Sequence, residues 1–406
     1  MGARSIWKVK WKYMIVLCTY NKVMRKKVDR AIWIFILIVL LGKGVLKAWA
    51  VGEGALIGVP TSSGMHVQDV KPWHLVRAYP QKSFSSSVPA GNYSGITHMY
   101  EDVYAVVSDK SDSVLYFNFR IRIDSITGEL RHVECLGALE TVDGSKVDSN
   151  LLFEPMERGF DHEAIAKVSD STLVVSSEGL FRLKEYLLVP STSGKMNAHL
   201  WEFRFPKDDF YFNYGYESLS YDSVRHVLWA MPESVLKKDG EPATPQNENA
   251  NLLRLLGFDW SAHTQEHSIV AENFYQMDKP STRKKAQTYV MGVSEICSLP
   301  DGQLLVLERE AFVPKMKLGA FCQCKLYVVN PCQVNMEKVE VTEWRTTMTL
   351  FDHSFANYEG MCLGPRLPDG SQVVILLSDS QNQYAGVLKD WFKTIVIRKE
   401  NEVAEH

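Results

Sequence analysis

Apolar positions along this chain cluster in short runs, some alternating with polar residues and some continuous, and no long helical period is evident. Five segments share one plan. A polar or acidic residue leads into a few apolar residues, the chain turns at a polar or Gly pair, and a second, more apolar strand ends near an acid. The leading ends are Ser94-Gly95-Ile96, Glu163-Ala164-Ile165, Glu217-Ser218-Leu219, Glu295-Ile296-Cys297 and Glu359-Gly360-Met361; the closing residues are Asp109, Glu178, Glu233, Glu308 and Asp379. More strictly alternating segments follow, such as 114–121, 199–205 and 326–329, as expected of strands with one wet face. Two buried inner strands and two amphipathic outer ones make a propeller blade. The pattern therefore predicts an all-β chain, a β-propeller of five four-stranded blades. A sixth, degenerate blade near Leu252–Met277 stays open. The last blade is expected to close with a strand near Leu75–Tyr79 or with Thr394–Arg398.

The spacing also predicts what meets at the open end of each hairpin. Facing residues of an antiparallel pair have numbers with a constant sum. In the fourth repeat Asp301-Gly302, a strong two-residue turn signal, has the same sum, 603, as Glu295 with Glu308. Asp170-Ser171 matches Glu163 with Glu178, and Glu101-Asp102 matches Ser94 with Asp109. Asp369-Gly370 comes within one of Glu359 with Asp379, and the third repeat needs a longer loop. Like charges directly opposite destabilise a sheet, so repeated acidic pairs at one mouth imply a compensating cation or a bound basic ligand. The alternative is that the acids cap strand ends in water.

The N-terminus changes the picture of where the chain works. Residues 1–50 hold 11 of the 45 Lys and Arg and one of the 48 acids, so the remainder carries a net charge of −13 (34 basic against 47 acidic). The apolar run Ala31–Leu41 is too short to span a bilayer but suits a secretory signal, with Ala48-Trp49-Ala50 as cleavage pattern. Met24-Arg25-Lys26-Lys27 reads as its natural start, which makes 1–23 an upstream extension. The expected organisation is a signal with extension (1–50), an N-terminal segment that completes the last blade (51–89), the propeller (90–398) and a tail (399–406). The protein is expected to be exported, periplasmic or extracellular, monomeric, and without a stable membrane span after cleavage. The acidic balance argues against nucleic acid as partner. Cys322, Cys324 and Cys332 read as a disulfide or buried thiols rather than a zinc site, for want of a fourth ligand.

The elements Gly159-Phe160-Asp161-His162-Glu163-Ala164-Ile165, Ser176-Ser177-Glu178-Gly179, Tyr216-Glu217-Ser218-Leu219, Leu299-Pro300-Asp301-Gly302 with Leu305-Val306-Leu307-Glu308-Arg309, and Asn357-Tyr358-Glu359-Gly360-Met361 resemble the phytase-like, or "esterase-like activity of phytase", domain family. The resemblance covers roughly 90–398. It implies a propeller fold and hydrolysis of a small-molecule ester or phosphoester. Ser94 departs from the pattern, since the other repeats carry Glu there.

An acidic ring suits a hard cation, and calcium takes six to eight oxygen ligands in loose geometry. The candidate ligands are Glu163, Glu178, Glu217, Glu233, Glu295, Glu308, Glu359 and Asp379, with Asn213, Asn357 and Asn382 as neutral oxygens. Arg158, Arg182 and Arg309 lie beside the acidic motifs and either hold an anionic substrate or neutralise the acids. His162 is the candidate general acid or base. Tyr216 and Tyr358, with Tyr214 and Tyr384, are candidate ligand contacts, and with them a non-catalytic binding propeller or a scaffold remains the alternative. No Gly-x-Ser-x-Gly elbow, P-loop or dinucleotide fingerprint is present.

Overall fold

The structure, a computed structural model, describes residues 72–109, 114–140, 161–188, 197–212, 214–261, 266–333, 336–384 and 387–400. The expected signal and its extension (residues 1–50), Arg158, Asn213 and the tail residues 401–406 lie outside the described residues. Strands are numbered in chain order. After β1 (Trp73–Ala78) and β2 (Lys82–Ser83), the first blade is β3 (Tyr93–Tyr100), β4 (Val103–Ser108), β5 (Val114–Ile123) and β6 (Leu130–Glu140). The second is β7 (His162–Lys167), β8 (Thr172–Ser177), β9 (Arg182–Leu187) and β10 (Asn197–Arg204). The third is β11 (Ser218–Asp222), β12 (Val227–Met231), β13 (Leu252–Asp259) and β14 (Ile269–Gln276). The fourth is β15 (Thr288–Ser298), β16 (Leu304–Val313), β17 (Ala320–Val329) and β18 (Lys338–Met348). The fifth is β19 (Asn357–Arg366), β20 (Gln372–Asp379), β21 (Trp391–Lys399) and then β1, with β2 also on β21. No helix among the described residues is long and apolar enough to cross a membrane.

The ring closes. The innermost strands pack in cyclic order, β3 on β7, β7 on β11, β11 on β15, β15 on β19 and β19 back on β3. Five apolar clusters lie one between each pair of neighbouring blades, from Ala105, Val107, Ile165 and Leu173 between the first two to Tyr93, Phe119, Val373 and Phe392 between the last and the first. This is face-to-face sheet packing repeated around an axis. It explains why the second strands read as almost continuous apolar runs: β4, β8 and β12 are buried along their whole length.

Both strands expected to close the last blade are used. β21 is its third strand and β1 pairs antiparallel with β21 as the fourth. Trp73 on β1 donates its indole N–H to Asp301 Oδ2 (3.0 Å) in the fourth blade's turn. Leu252–Met277 is not a further blade, since it holds β13 and β14, the outer strands of the third.

The hairpin registers differ from the expected ones in a regular way. Glu101-Asp102 does form a two-residue turn, with Tyr100 facing Val103. The fourth blade instead uses three loop residues, Pro300 to Gly302, closed by Leu299 N–H to Gln303 O (2.8 Å). Gly302 sits at φ 80° there, the left-handed conformation such a loop requires. A bulge then interrupts the inner pair in four blades, between Tyr93 and Ile96, His162 and Ile165, Val293 and Glu295, and Tyr358 and Gly360. Bulges re-aim the side chains around them, and here they fall where the acids begin.

Candidate functional site

The five hairpins superpose on one apolar pair each: Ile96–Val106, Ile165–Val175, Leu219–Ala230, Ile296–Val306 and Met361–Leu376. Two residues before the first member stand Ser94, Glu163, Glu217, Ser294 and Glu359. Three residues after the second stand Asp109, Glu178, Glu233, Arg309 and Asp379. All of these except the two serines line one cavity of about 850 Å³ at the end of the channel. Four blades thus bring an acid at or just past the end of the second strand, and the fourth blade brings an arginine.

Arg309 is 4% exposed and lies among the acids. Its Nη1 donates to Glu359 Oε1 (2.7 Å) and Asn357 Oδ1 (2.9 Å), its Nη2 donates to Glu233 Oε1, and Glu217 Oε2 is 3.7 Å away. Burial disfavours its charge, but Glu233, Glu359 and Glu217 outweigh that and hold the guanidinium well above the usual arginine range. The compensating cation for this part of the mouth is therefore a side chain. Asn357 Nδ2 also donates to Glu359 Oε1 (2.6 Å). Burial and then Asp379 push the Glu359 carboxyl up despite Arg309, and burial with Glu233 does the same to Glu217.

The neighbouring part of the mouth, from the first and second blades, has a different character. Asp109, Asp161 and Glu163 each bring a carboxylate oxygen to within 4.8 Å of the others. Asp161 adopts φ 50° just before β7 and lines the same cavity. Ser94 Oγ lies within hydrogen-bond distance of both the Glu163 backbone oxygen (2.7 Å) and Oε2 (2.9 Å), so the serine that breaks the repeat steadies the next blade's glutamate. Glu178, 6% exposed, has a buried Oε1 without a protein partner. Burial, then Glu233, Asp161 and Asp109, raise its carboxyl to about 8. Burial and then Glu178 and Asp109 raise Glu163 well above the carboxylate range. Crowded hard oxygens and an unpartnered carboxylate oxygen suit a divalent cation of the calcium or magnesium kind.

A family model described as phytase-like, esterase-like activity of phytase, matches residues 88–381. The chain belongs to the phytase-like family. Among solved structures it is similar to an endo-arabinase from Bacteroides thetaiotaomicron, at 11% identity over 79% of this chain and 98% of that one, with a TM-score of 0.42. It is also similar to a streptogramin B lyase, at 11% identity over 79% and 98% with a TM-score of 0.33. A virginiamycin B lyase from Staphylococcus aureus aligns at 9% identity over 80% and 99%, with a TM-score of 0.30. No curated protein matches the chain by sequence.

Within this phytase-like propeller, Glu163, Glu178, Glu217, Glu233, Glu359 and Asp379 of the expected ligands converge on the mouth. Glu295 and Glu308 do not line it. Glu295 is buried on β15, one residue past the mouth position, and its Oε1 accepts from the backbone N–H of Ile296 (3.0 Å) and Leu219 (3.2 Å). Its Oε2 has no protein partner, and burial raises its carboxyl well above the usual range. Glu308 points the other way along the strand, where it accepts from Tyr275 Oη (2.6 Å) and Lys338 Nζ (2.7 Å). Ser294 and Arg309 share the mirror sum of Glu295 and Glu308, so spacing alone does not distinguish the two pairs. A one-residue step does, because it flips the side chain to the other face.

The remaining candidates are scattered. His162 is buried on β7 opposite Ser177 and does not line the cavity. Arg182 lies on β9, 3.6 Å from Glu202. Tyr216 stacks on Phe205, with ring centroids 3.9 Å apart, and is core. Tyr358 is fully buried and donates to Gln81 Oε1 (2.8 Å). Asn382 lies outside the cavity, whereas Asn357, Tyr214 and Tyr384 line it. Cys322 and Cys324 are buried free thiols with sulfurs 3.8 Å apart, and Cys332 is also free. Asp109 and Asp161 are the site residues absent from the candidate ligands; Asp109 is the expected closing acid of the first repeat, and Asp161 stands in the quoted motif two residues before Glu163.

Proposed function

We propose that the acidic mouth is the active centre of a metal-assisted hydrolase of carboxylate or phosphate esters, exported as its N-terminal pattern suggests. The observation that carries this is the convergence of Asp109, Asp161 and Glu163 beside a substrate-sized cavity, a volume typical of small-molecule sites. Membership of the phytase-like family supports the reaction class. Asp109, Asp161 and Glu163 would hold the cation, with Glu178 beside them. A divalent cation so held supplies Lewis acidity toward the ester oxygen and a more acidic water.

The chain's own residues take the other parts. Ser94 Oγ holds Glu163 in place. Arg309, whose two Nη groups are taken by Glu233, Glu359 and Asn357, fixes those side chains rather than a substrate anion. Glu178, raised by burial ahead of its acidic neighbours, is the cavity group suited to holding and passing a proton, a role that His162 is not placed to take. Lys317, at the rim and bonded to Tyr384 Oη (2.9 Å), is the remaining cation that lines the cavity among the described residues.

Initial rates on aryl carboxylate and aryl phosphate esters, with calcium and then with excess chelator, test the proposal. Turnover that chelation abolishes and calcium restores is expected. Turnover indifferent to chelator removes the metal from the reading, and none on either ester class removes the hydrolase.

A further inference from the structure

We propose that the substrate of this hydrolase is a carboxylate ester with a lipophilic acyl or aryl group and little charge, and not a polyphosphorylated molecule; the inference rests on the hydrolase reading above. Two features of the cavity lead there, and neither is the acidic cluster alone. The first is an apolar part of its lining, built by the ends of the fourth blade's strands, the segment before β19 and the loop between β20 and β21. Val290, Val313, Ala320, Met348, Phe355 and Leu388 form this wall. An ester seated with its reacting carbonyl over the carboxylates lays one substituent along that wall. The apolar surface continues outward. Met316 (80% exposed) lies in the turn after Val313, and Phe351 (97%) lies just past Met348. Gly319 N–H to Met348 O (2.7 Å) ties these two turns together, and Phe212 (76%) borders the cavity from the third blade's side.

The second feature is charge. Eight carboxylates belong to the mouth: Asp109, Asp161, Glu163, Glu178, Glu217, Glu233, Glu359 and Asp379. Of the two cations lining the cavity among the described residues, Arg309 is already engaged by three of them, which leaves Lys317 at the rim. A molecule with several phosphates would bring many negative charges into that field in a partly desolvated site, where repulsion is stronger than in water. A neutral ester meets no such barrier. In the reaction, water's oxygen joins the acyl carbon, the acyl C–O bond breaks, and a proton goes to the departing oxygen, giving a carboxylic acid and an alcohol or phenol.

The test compares 4-nitrophenyl acetate, butanoate and octanoate with inositol hexakisphosphate on the full chain with calcium present. In parallel, binding of 4-nitrophenyl octyl ether, which cannot be hydrolysed, is measured. Each CH₂ buried on the wall is worth about fourfold in affinity, so kcat/KM is expected to rise at least about tenfold from acetate to octanoate. Val290→Asn should cut the octanoate-to-acetate ratio by about tenfold, and Met348→Gln serves the same purpose if the first variant does not fold. No phosphate release is expected. A flat chain-length profile, or faster turnover of the hexakisphosphate, overturns the substrate class while leaving the hydrolase standing. Tight ether binding with no turnover of any substrate ends the hydrolase reading and leaves a lipophilic site; absence of both ends both.

Discussion

At the scale of single residues, Arg309 decides how the mouth is held together. It stands where the other blades carry Asp109, Glu178, Glu233 and Asp379, and it contacts Glu233 and Glu359 with Glu217 close by. Removing one partner of a buried ion cluster leaves the others uncompensated, at a cost of about 3–5 kcal/mol. Arg309→Met should therefore lower the urea midpoint strongly near pH 8 and less near pH 5, where Glu217 and Glu359, already raised by burial and their neighbours, take up protons. A loss of equal size at both pH values would contradict the carboxylate cluster as its origin.

Glu178 gives a second pH dependence with a defined sign. Its folded value of about 8 lies above the ordinary 4.5. The folded state therefore binds the proton more tightly than the unfolded state, and its stabilising contribution is present below pH 4.5 and lost as pH rises through 8. In chelator, the midpoint should fall between about pH 5 and about pH 8.5, and Glu178→Gln should flatten that slope, by an amount on the order of 2–4 kcal/mol at most. A midpoint that rises over this interval would refute the assignment.

At the scale of elements, the inner strands approach each other too closely for side chains at certain positions. A Cβ on Gly360 would lie 2.2 Å from the carbonyl oxygen of Ser94 on β3. That neighbour is backbone, so Gly360→Ala must push β19 from β3. A loss of about 1–3 kcal/mol with weaker cation binding is expected from denaturation and calorimetry; an unchanged midpoint would show that the strands are not so tightly joined. The hairpin pattern was legible because each inner pair is apolar, short and repeated. The bulges were not legible, because a bulge inserts no residue type of its own. At Ser294 that uncertainty mattered. The mirror spacing fits Glu295 with Glu308 as well as Ser294 with Arg309, and the two flattering glutamates were the wrong neighbours. Glu308→Gln is thus expected to leave calcium affinity unchanged. Tyr216 and Tyr358 misled for a related reason, since an aromatic beside an acidic motif packs inward as readily as toward a ligand, and here one stacks on Phe205 and the other meets Trp344.

At the scale of the whole molecule, five sheets and five interblade clusters form a ring whose last blade needs β1 from the N-terminal side. Deleting residues through Ala78 would leave β21 as an open edge and remove Trp73 from the cluster between the fourth and fifth blades. Exposed edges promote association, so the shortened chain should aggregate or melt earlier in light-scattering thermal scans; an unchanged melt would mean the ring does not depend on this closure. Blade count and closure were readable because they follow from strand order. The division of the mouth into an arginine-held part and a part built for a cation was not, because it depends on which face each residue takes.

The most direct measurement is calorimetric titration of calcium into the protein and into Glu163→Gln and Glu308→Gln. The account predicts saturable binding that Glu163→Gln weakens by at least about tenfold, or roughly 1.4 kcal/mol, and that Glu308→Gln leaves intact. Absence of binding to the unaltered protein, or equal loss in both variants, would contradict it.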